Sequence, residues 1–283
     1  MKDLSITAKY TGQCWVFGKF EGAELLATEE TKQIFDGTNA VLDLTSGKSH
    51  PSLPHSLVQR HAMIDRLLSD WLRQRGGEGQ VLELAAGLSA RGVRFTKNPL
   101  VTYTEVDLPS VLGKKRELLA RTSEGQDASL RSNLRYVSGD LAHLDLSALV
   151  DTTQPVFVIS EGLCMYLDAE ALSRLWHRIN ALFAQAGSEY VFDLVPFCEE
   201  PASSRAGRVL DFGLRLMTGG RTFAKDGRTR AELSTALLEA GFDSVSTHDP
   251  KGKLDRWNLP HTRVPTQQLI FHACGGELGA TYS

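Results

Sequence analysis

The strongest constraint on this chain is a series of short apolar segments set apart by helix-length stretches. Val81–Leu84, Leu100–Val106, Leu134–Val137, Val156–Ser160 and Tyr190–Val195 each have the length and composition of a strand. Connections this long suit parallel neighbours with helical crossovers, because a tight hairpin joins only antiparallel strands. Val156–Ser160 is apolar almost throughout, as a central strand covered on both faces must be. Asp168 and Gly187 bracket an amphipathic stretch, Ala169–Ala186, predicted as one long helix. An α/β fold with a Rossmann-like sheet is expected.

Elements on either side complete this frame. Glu24–Phe35 has helical composition and Gly37-Thr38-Asn39 is its expected stop. In Ser56–Arg75 the residues Leu57, Met63, Ile64, Leu67, Leu68, Trp71 and Leu72 share a helical face, with Ser56 as N-cap and Gly76-Gly77 as stop. Beyond Pro196 the alternation lapses, which predicts an insertion with one helix. Thr229-x-x-Glu232 is a capping box ahead of Leu233, Leu237 and Leu238, and Phe242–Thr247 and Gln267–Ala273 read as two last strands. The expectation is a single domain over 1–283: an N-terminal cap (1–55), a cofactor-binding core (56–195), a lid insertion (196–230) and a C-terminal helix and strand pair (231–283).

Function in such a sheet lies beyond the carboxyl ends of the strands. The first strand carries Glu83 and leads into Ala85, Ala86 and Gly87; the second ends at Asp107-Leu108, the third at Asp140-Leu141 and the fourth at Glu161-Gly162. Any one of these acids alone would be an ordinary cap or loop charge. Their recurrence at successive strand ends instead predicts one ligand-binding rim, with Asp107 placed to accept hydrogen bonds from ribose hydroxyls. A nicotinamide dinucleotide would use a similar acid. However, Gly87-Leu88-Ser89-Ala90-Arg91-Gly92 lacks the middle glycine that admits a pyrophosphate, and Arg91 would crowd the helix start.

Composition narrows the partners. A formal net charge of −3 supplies no field for nucleic acid or an acidic membrane. Cys14, Cys164, Cys198 and Cys274 form no C-x-x-C pair and no Cys/His cluster at metal-ligand spacing, so reduced thiols, no metal and a cytoplasmic location are expected. No apolar run approaches the roughly 20 residues that span a bilayer, and the first residues lack a signal-peptide core. A small-molecule acceptor is the expected partner.

Five segments stand in a recognisable order. They are Gln59-Arg60-His61 with Ile64-Asp65, Val81 to Arg91, Glu105-Val106-Asp107-Leu108-Pro109, Gly139-Asp140-Leu141, and Ser160-Glu161-Gly162-Leu163-Cys164-Met165-Tyr166-Leu167. In this the chain resembles the leucine carboxyl methyltransferase superfamily, and within it the bacterial polyketide O-methyltransferases typified by the tetracenomycin enzyme. The likeness is good over Thr7 to Leu172 and looser beyond. It implies a class I methyltransferase fold, a seven-stranded sheet with the last strand antiparallel, and S-adenosyl-L-methionine (AdoMet) as cofactor. It further implies that Arg60 holds the methionyl carboxylate, Gly87 lets the backbone pass the methionine, and Asp107 takes the ribose. Asp140 and Leu141 would meet the adenine, and Glu161 the methionyl ammonium; Glu83 and Leu108 are grouped with them as cofactor-binding residues. Where many methyltransferases carry three glycines, this chain has Ala85, Gly87 and Ser89.

The acceptor is less legible. Tyr10, Cys164, Tyr166 and Phe197 are candidate pocket residues, and the N-terminal segment and the insertion, with Phe212, Leu216, Met217 and Phe223, are the expected lid. His61 is read as a buried, hydrogen-bonded histidine, His143, His177 and His248 as surface residues, and Lys114-Lys115-Arg116 as a solvated helix face. With no persuasive general base, O-methylation of a small apolar acceptor is expected, on a carboxylate in preference to a phenol. A protein C-terminal carboxyl group as acceptor, or AdoMet binding without turnover, are the alternatives.

Overall fold

The computed structural model describes residues 6–46, 53–196, 226–259 and 268–275. They contain a seven-stranded sheet of order β3-β2-β1-β4-β5-β7-β6. Its strands are β1 Gly79–Leu84, β2 Val101–Asp107, β3 Leu134–Ser138, β4 Val156–Ser160, β5 Ser188–Leu194, β6 Ser244–His248 and β7 Leu269–Gly275. Pairing is parallel from β3 across to β5, and β7 runs antiparallel to both β5 and β6. This is the sheet that the family resemblance implies. The described helices are α1 Ile6–Phe17, α2 Glu29–Ser46, α3 Leu53–Gln74, α4 Arg91–Phe95, α5 Pro109–Leu119, α6 Ser123–Ser129, α7 Ala169–Asn180 and α8 Arg230–Glu239.

Alternation along each strand sorts the core into two layers. Val81, Tyr103, Phe157, Val191 and Ile270 pack with Met63, Ile64, Leu67, Leu68 and Trp71 of α3. Leu82, Val106, Val158, Phe192 and Phe271 pack on the other side with Leu172, Leu175, Trp176 and Ile179 of α7 and Leu233 and Leu237 of α8. The strand polar residues Glu83, Glu105, Asp193 and His272 fall in the same register as the first set, and Glu161 follows directly after β4. The face under α3 therefore carries buried charge.

Several local expectations change. Gly37 does not stop a helix, because α2 continues to Ser46 while Phe35 is buried with Tyr10 against α1, and such packing outweighs the ~1 kcal/mol helix cost of a glycine. Ala23–Leu26 forms a separate 3-10 turn. Ser56 is buried inside α3, which begins at Leu53. α1 had no clear signature, since its buried residues Lys9, Tyr10, Gly12, Cys14 and Trp15 define no single apolar stripe. α7 ends at Asn180, earlier than its composition suggests, while Asp168 caps its start by accepting from the Ala171 N–H. The capping box of Thr229 and Glu232 is present. Two surface assignments are overturned: Lys115 is fully buried, paired with Glu105, and His248 is buried against Trp257. The expected lid residues from Phe197 to Phe223 lie outside the described residues.

β1 enters the core directly beneath α3. A Cβ added at Gly79 would come within 2.4 Å of the Trp71 ring, which is itself fully buried. Gly79→Ala should therefore lower unfolding free energy by about 1–3 kcal/mol, as overpacking of a filled core does. Urea unfolding followed by tryptophan fluorescence measures it; an unchanged midpoint would contradict the packing.

Candidate cofactor site

The loop leaving β1 turns through left-handed backbone at Ala85 (φ 56°) and Gly87 (φ 53°). A Cβ placed on Gly87 would meet none of the described residues within 4 Å, so among these the space above the turn is open. Below it, the Gly87 N–H donates to Asp107 Oδ2 at 2.7 Å and the Leu108 N–H to Oδ1 at 2.7 Å. Burial pushes the Asp107 carboxyl up, and these two bonds oppose the shift. The end of β2 thus carries a fixed carboxylate beside a loop with room for a ligand. Leu108, 47% exposed, presents an apolar side chain at the same edge. At the end of β3, Asp140 is exposed and accepts from the Ala142 N–H at 2.9 Å, with Leu141 half-buried next to it.

Glu161, just past β4, sits between two guanidiniums and an imidazole. Arg60 Nε lies 2.6 Å from Oε1, Arg91 Nη2 lies 2.5 Å from Oε2, and His61 Nδ1 also contacts Oε1. Burial alone would raise this carboxyl, but Arg91, His61 and Arg60 outweigh it and hold it well below the usual carboxylate range. Burial lowers the pKa of the imidazole itself, despite the neighbouring Glu161. Trp15 of α1 stacks on this imidazole, with ring centroids 4.1 Å apart, and also lies under the Arg91 guanidinium. Arg91 further reaches Asp65 at 2.6 Å and Glu83 at 2.9 Å, Arg94 reaches Asp65 at 2.5 Å, and Arg60 reaches Asp193 at 3.2 Å. Asp193 in turn accepts from the Gly162 N–H and from Gln268, both at 2.6 Å.

Among the described residues the cluster thus sets three guanidiniums (Arg60, Arg91, Arg94) against four carboxylates (Asp65, Glu83, Glu161, Asp193), an excess of one negative charge. A ligand bearing net positive charge suits that balance.

The structure gathers most of the expected residues and redirects some. Arg60 and Glu161 meet, as do Gly87, Asp107 and Leu108. Glu83, expected to face the cofactor, spends its oxygens on Arg91 and on the Tyr103 hydroxyl at 2.8 Å, and is buried. Tyr10 is enclosed between α1 and α2, its ring stacked on Phe35 and its hydroxyl donating to Asn39, so it lines no open pocket. Cys164 is buried beside Ser160 and Tyr190 on the opposite face of the sheet. Tyr166 is half-buried just past β4, and Phe197 lies outside the described residues. Sequence reasoning missed Arg91, Asp65 and Asp193. Arg91-x-x-Arg94 at a helix start was the available signal, because arginines there oppose the helix dipole and need carboxylates from elsewhere.

Comparison with known proteins identifies the family and the fold. The leucine carboxyl methyltransferase family model matches residues 21–180. A Mycobacterium marinum protein assigned as an S-adenosyl-L-methionine-dependent methyltransferase is 31% identical over 217 residues, covering 72% of this chain and 67% of its own length. Among solved structures, a Nostoc punctiforme PCC 73102 protein assigned to the O-methyltransferases is 18% identical with a TM-score of 0.51, covering 90% of this chain and 73% of its own. A Burkholderia thailandensis O-methyltransferase family protein is 13% identical with a TM-score of 0.50, over 96% and 72% of the two chains. At these identities the structures establish the shared fold.

Arg91→Met would leave three carboxylates short of their common cation. Stability should fall by about 3–5 kcal/mol, the usual result of breaking a buried ion cluster from one side. Glu161 gives a second readout. With its folded pKa depressed, its contribution is complete above its ordinary value of 4.5 and lost as pH falls through the folded value. Arg91→Met should therefore shift acid unfolding to higher pH; equal acid midpoints for variant and wild type would show that Arg91 does not control Glu161.

Proposed function

The chain belongs to the leucine carboxyl methyltransferase family and is an AdoMet-dependent methyltransferase, and from that premise we propose that it methylates an oxygen of a small apolar acceptor, a carboxylate in preference to a phenol. Within the family we place it with the bacterial polyketide O-methyltransferases of the tetracenomycin type. When bound, AdoMet supplies a methyl group on a sulfonium for in-line displacement.

The site residues take the following roles in this reading. Asp107 accepts from the ribose hydroxyls, Leu108, Asp140 and Leu141 surround the adenine, and the Gly87 turn lets backbone pass close to the methionine. Arg60 holds the methionyl carboxylate and Glu161 the ammonium, which requires their mutual contact to open. Neither is stranded by that exchange: Arg60 keeps Asp193, and Glu161 keeps Arg91 and His61. Charge is swapped for charge, so little desolvation cost is added.

One observation carries the preference for a carboxylate. His61, which contacts Glu161 at the rim, is buried and stacked on Trp15, and burial lowers its pKa. So buried, it is poorly placed to take a proton from an acceptor. A carboxylic acid is already ionised at neutral pH, whereas a phenol with a pKa near 10 needs a base. Alignment then supplies the rate: holding acceptor oxygen and methyl carbon about 3–3.5 Å apart contributes roughly 7–11 kcal/mol. A C-terminal carboxyl group of a protein is the second reading, favoured by the family's description.

Two measurements test this. Asp107→Ala should weaken AdoMet binding about tenfold in calorimetry, matching the loss of two hydrogen bonds. In single turnover the methyl-transfer rate should be nearly flat between about pH 6 and 9, and the transferred label should be released as methanol by mild base, as an ester releases it. A base-stable label with a rate rising through neutrality would replace the carboxylate by a phenol.

A further inference from the structure

At the far end of the sheet from the AdoMet rim, a second polar cluster lies on the face that carries the buried charge. Glu189 near the start of β5 stands directly opposite Cys274 near the end of β7, and His272 sits two residues before Cys274 on the same side. His272 Nε2 is 2.9 Å from Glu189 Oε2 and 3.6 Å from Cys274 Sγ, and the three donor atoms all lie within 4.8 Å of one another. Glu189 and His272 are buried, while Cys274 is partly exposed.

We propose that Glu189, His272 and Cys274 form a zinc site that ties β5 to β7. Tetrahedral zinc with bonds of about 2.0–2.3 Å sets its donors roughly 3.3–3.7 Å apart, so this cluster needs only small adjustments to close on the ion. The donor set of carboxylate, imidazole and thiolate suits borderline-soft Zn²⁺ better than Mg²⁺ or Ca²⁺, which take oxygen alone. All three ligands project from neighbouring strands of one sheet, where backbone pairing limits drift. The partly exposed Cys274 gives the ion its entry path, and a water molecule supplies the fourth ligand. Binding releases the thiol proton and any imidazolium proton to solvent. Spacing along the sequence conceals the set: His272-x-Cys274 alone is half a site, and Glu189 arrives from 83 residues away through the antiparallel pairing of β5 with β7.

The purified full-length chain, stripped with chelator and titrated with ZnCl₂ or CoCl₂, tests the assignment. One zinc per chain should bind, thermal stability should rise, and cobalt should give a thiolate-to-metal charge-transfer band with the intense visible bands of a tetrahedral site. Cys274→Ser should abolish the charge-transfer band, and His272→Gln should weaken zinc binding at least tenfold. Circular dichroism confirms that each variant is folded. Binding of S-adenosylhomocysteine at the opposite end of the sheet should persist in both variants, so failure of the cofactor reading and failure of this one are separately visible. Absence of stoichiometric zinc, or equal binding by wild type and both variants, overturns the site.

Discussion

A guanidinium without access to water must find carboxylates, and Arg91 finds them on three separate elements: Asp65 on α3, Glu83 on β1 and Glu161 past β4. Charge buried in this way stabilises only when each member is matched, so the position of one helix fixes the positions of the others. α4 cannot shift along β1 without uncoupling Glu83, and α3 cannot rotate without uncoupling Asp65. Trp15 extends the arrangement to α1, lying against both Arg91 and His61. α1 is therefore fastened to the core at this ion cluster.

The same electrostatics explain how the rim divides its work. Asp107 is held by two backbone N–H groups, whereas the neighbouring Glu105 is the one that pairs with Lys115. Asp107 suits neutral hydroxyl donors. Glu161 is held by cations and suits an exchange of one charged partner for another. Two carboxylates at neighbouring strand ends thus differ in what they can bind because of what stands behind each, with no difference in the groups themselves.

Burying charge on one face of the sheet has a consequence at both ends. The face under α3 carries Glu83, Glu105, Glu161, Asp193, Glu189 and His272, while the face under α7 and α8 is aromatic and aliphatic, with Phe192 stacked on Phe271. Packing strength comes from the apolar face and specificity from the polar one, and both the Glu161 ion cluster and the Glu189–His272–Cys274 cluster belong to the polar side. Among the described residues no helix is long and apolar enough to cross a membrane.

How much of this was legible beforehand follows from the range of the interactions. Strand period, the capping box at Thr229 and the cap at Asp168 are local, so the α/β alternation and the acid-bearing strand ends could be read directly. Asp107 and Gly87 were readable for the same reason, each being defined by its place at a strand end. Lys115 and His248 were misplaced because the partners that bury them, Glu105 and Trp257, come from elements that local pattern does not bring together. Glu83 was assigned to the ligand and belongs to Arg91, since a carboxylate's partner is set by which helix crosses above it. The sequence alone determined which residues sit at the sheet's ligand-binding edge, because side-chain period and turn chemistry act over a few residues. Tertiary structure alone decided which charges meet there, and that Glu189 joins His272 and Cys274, because ion pairs and ligand sets depend on distances between strands and helices far apart in the chain.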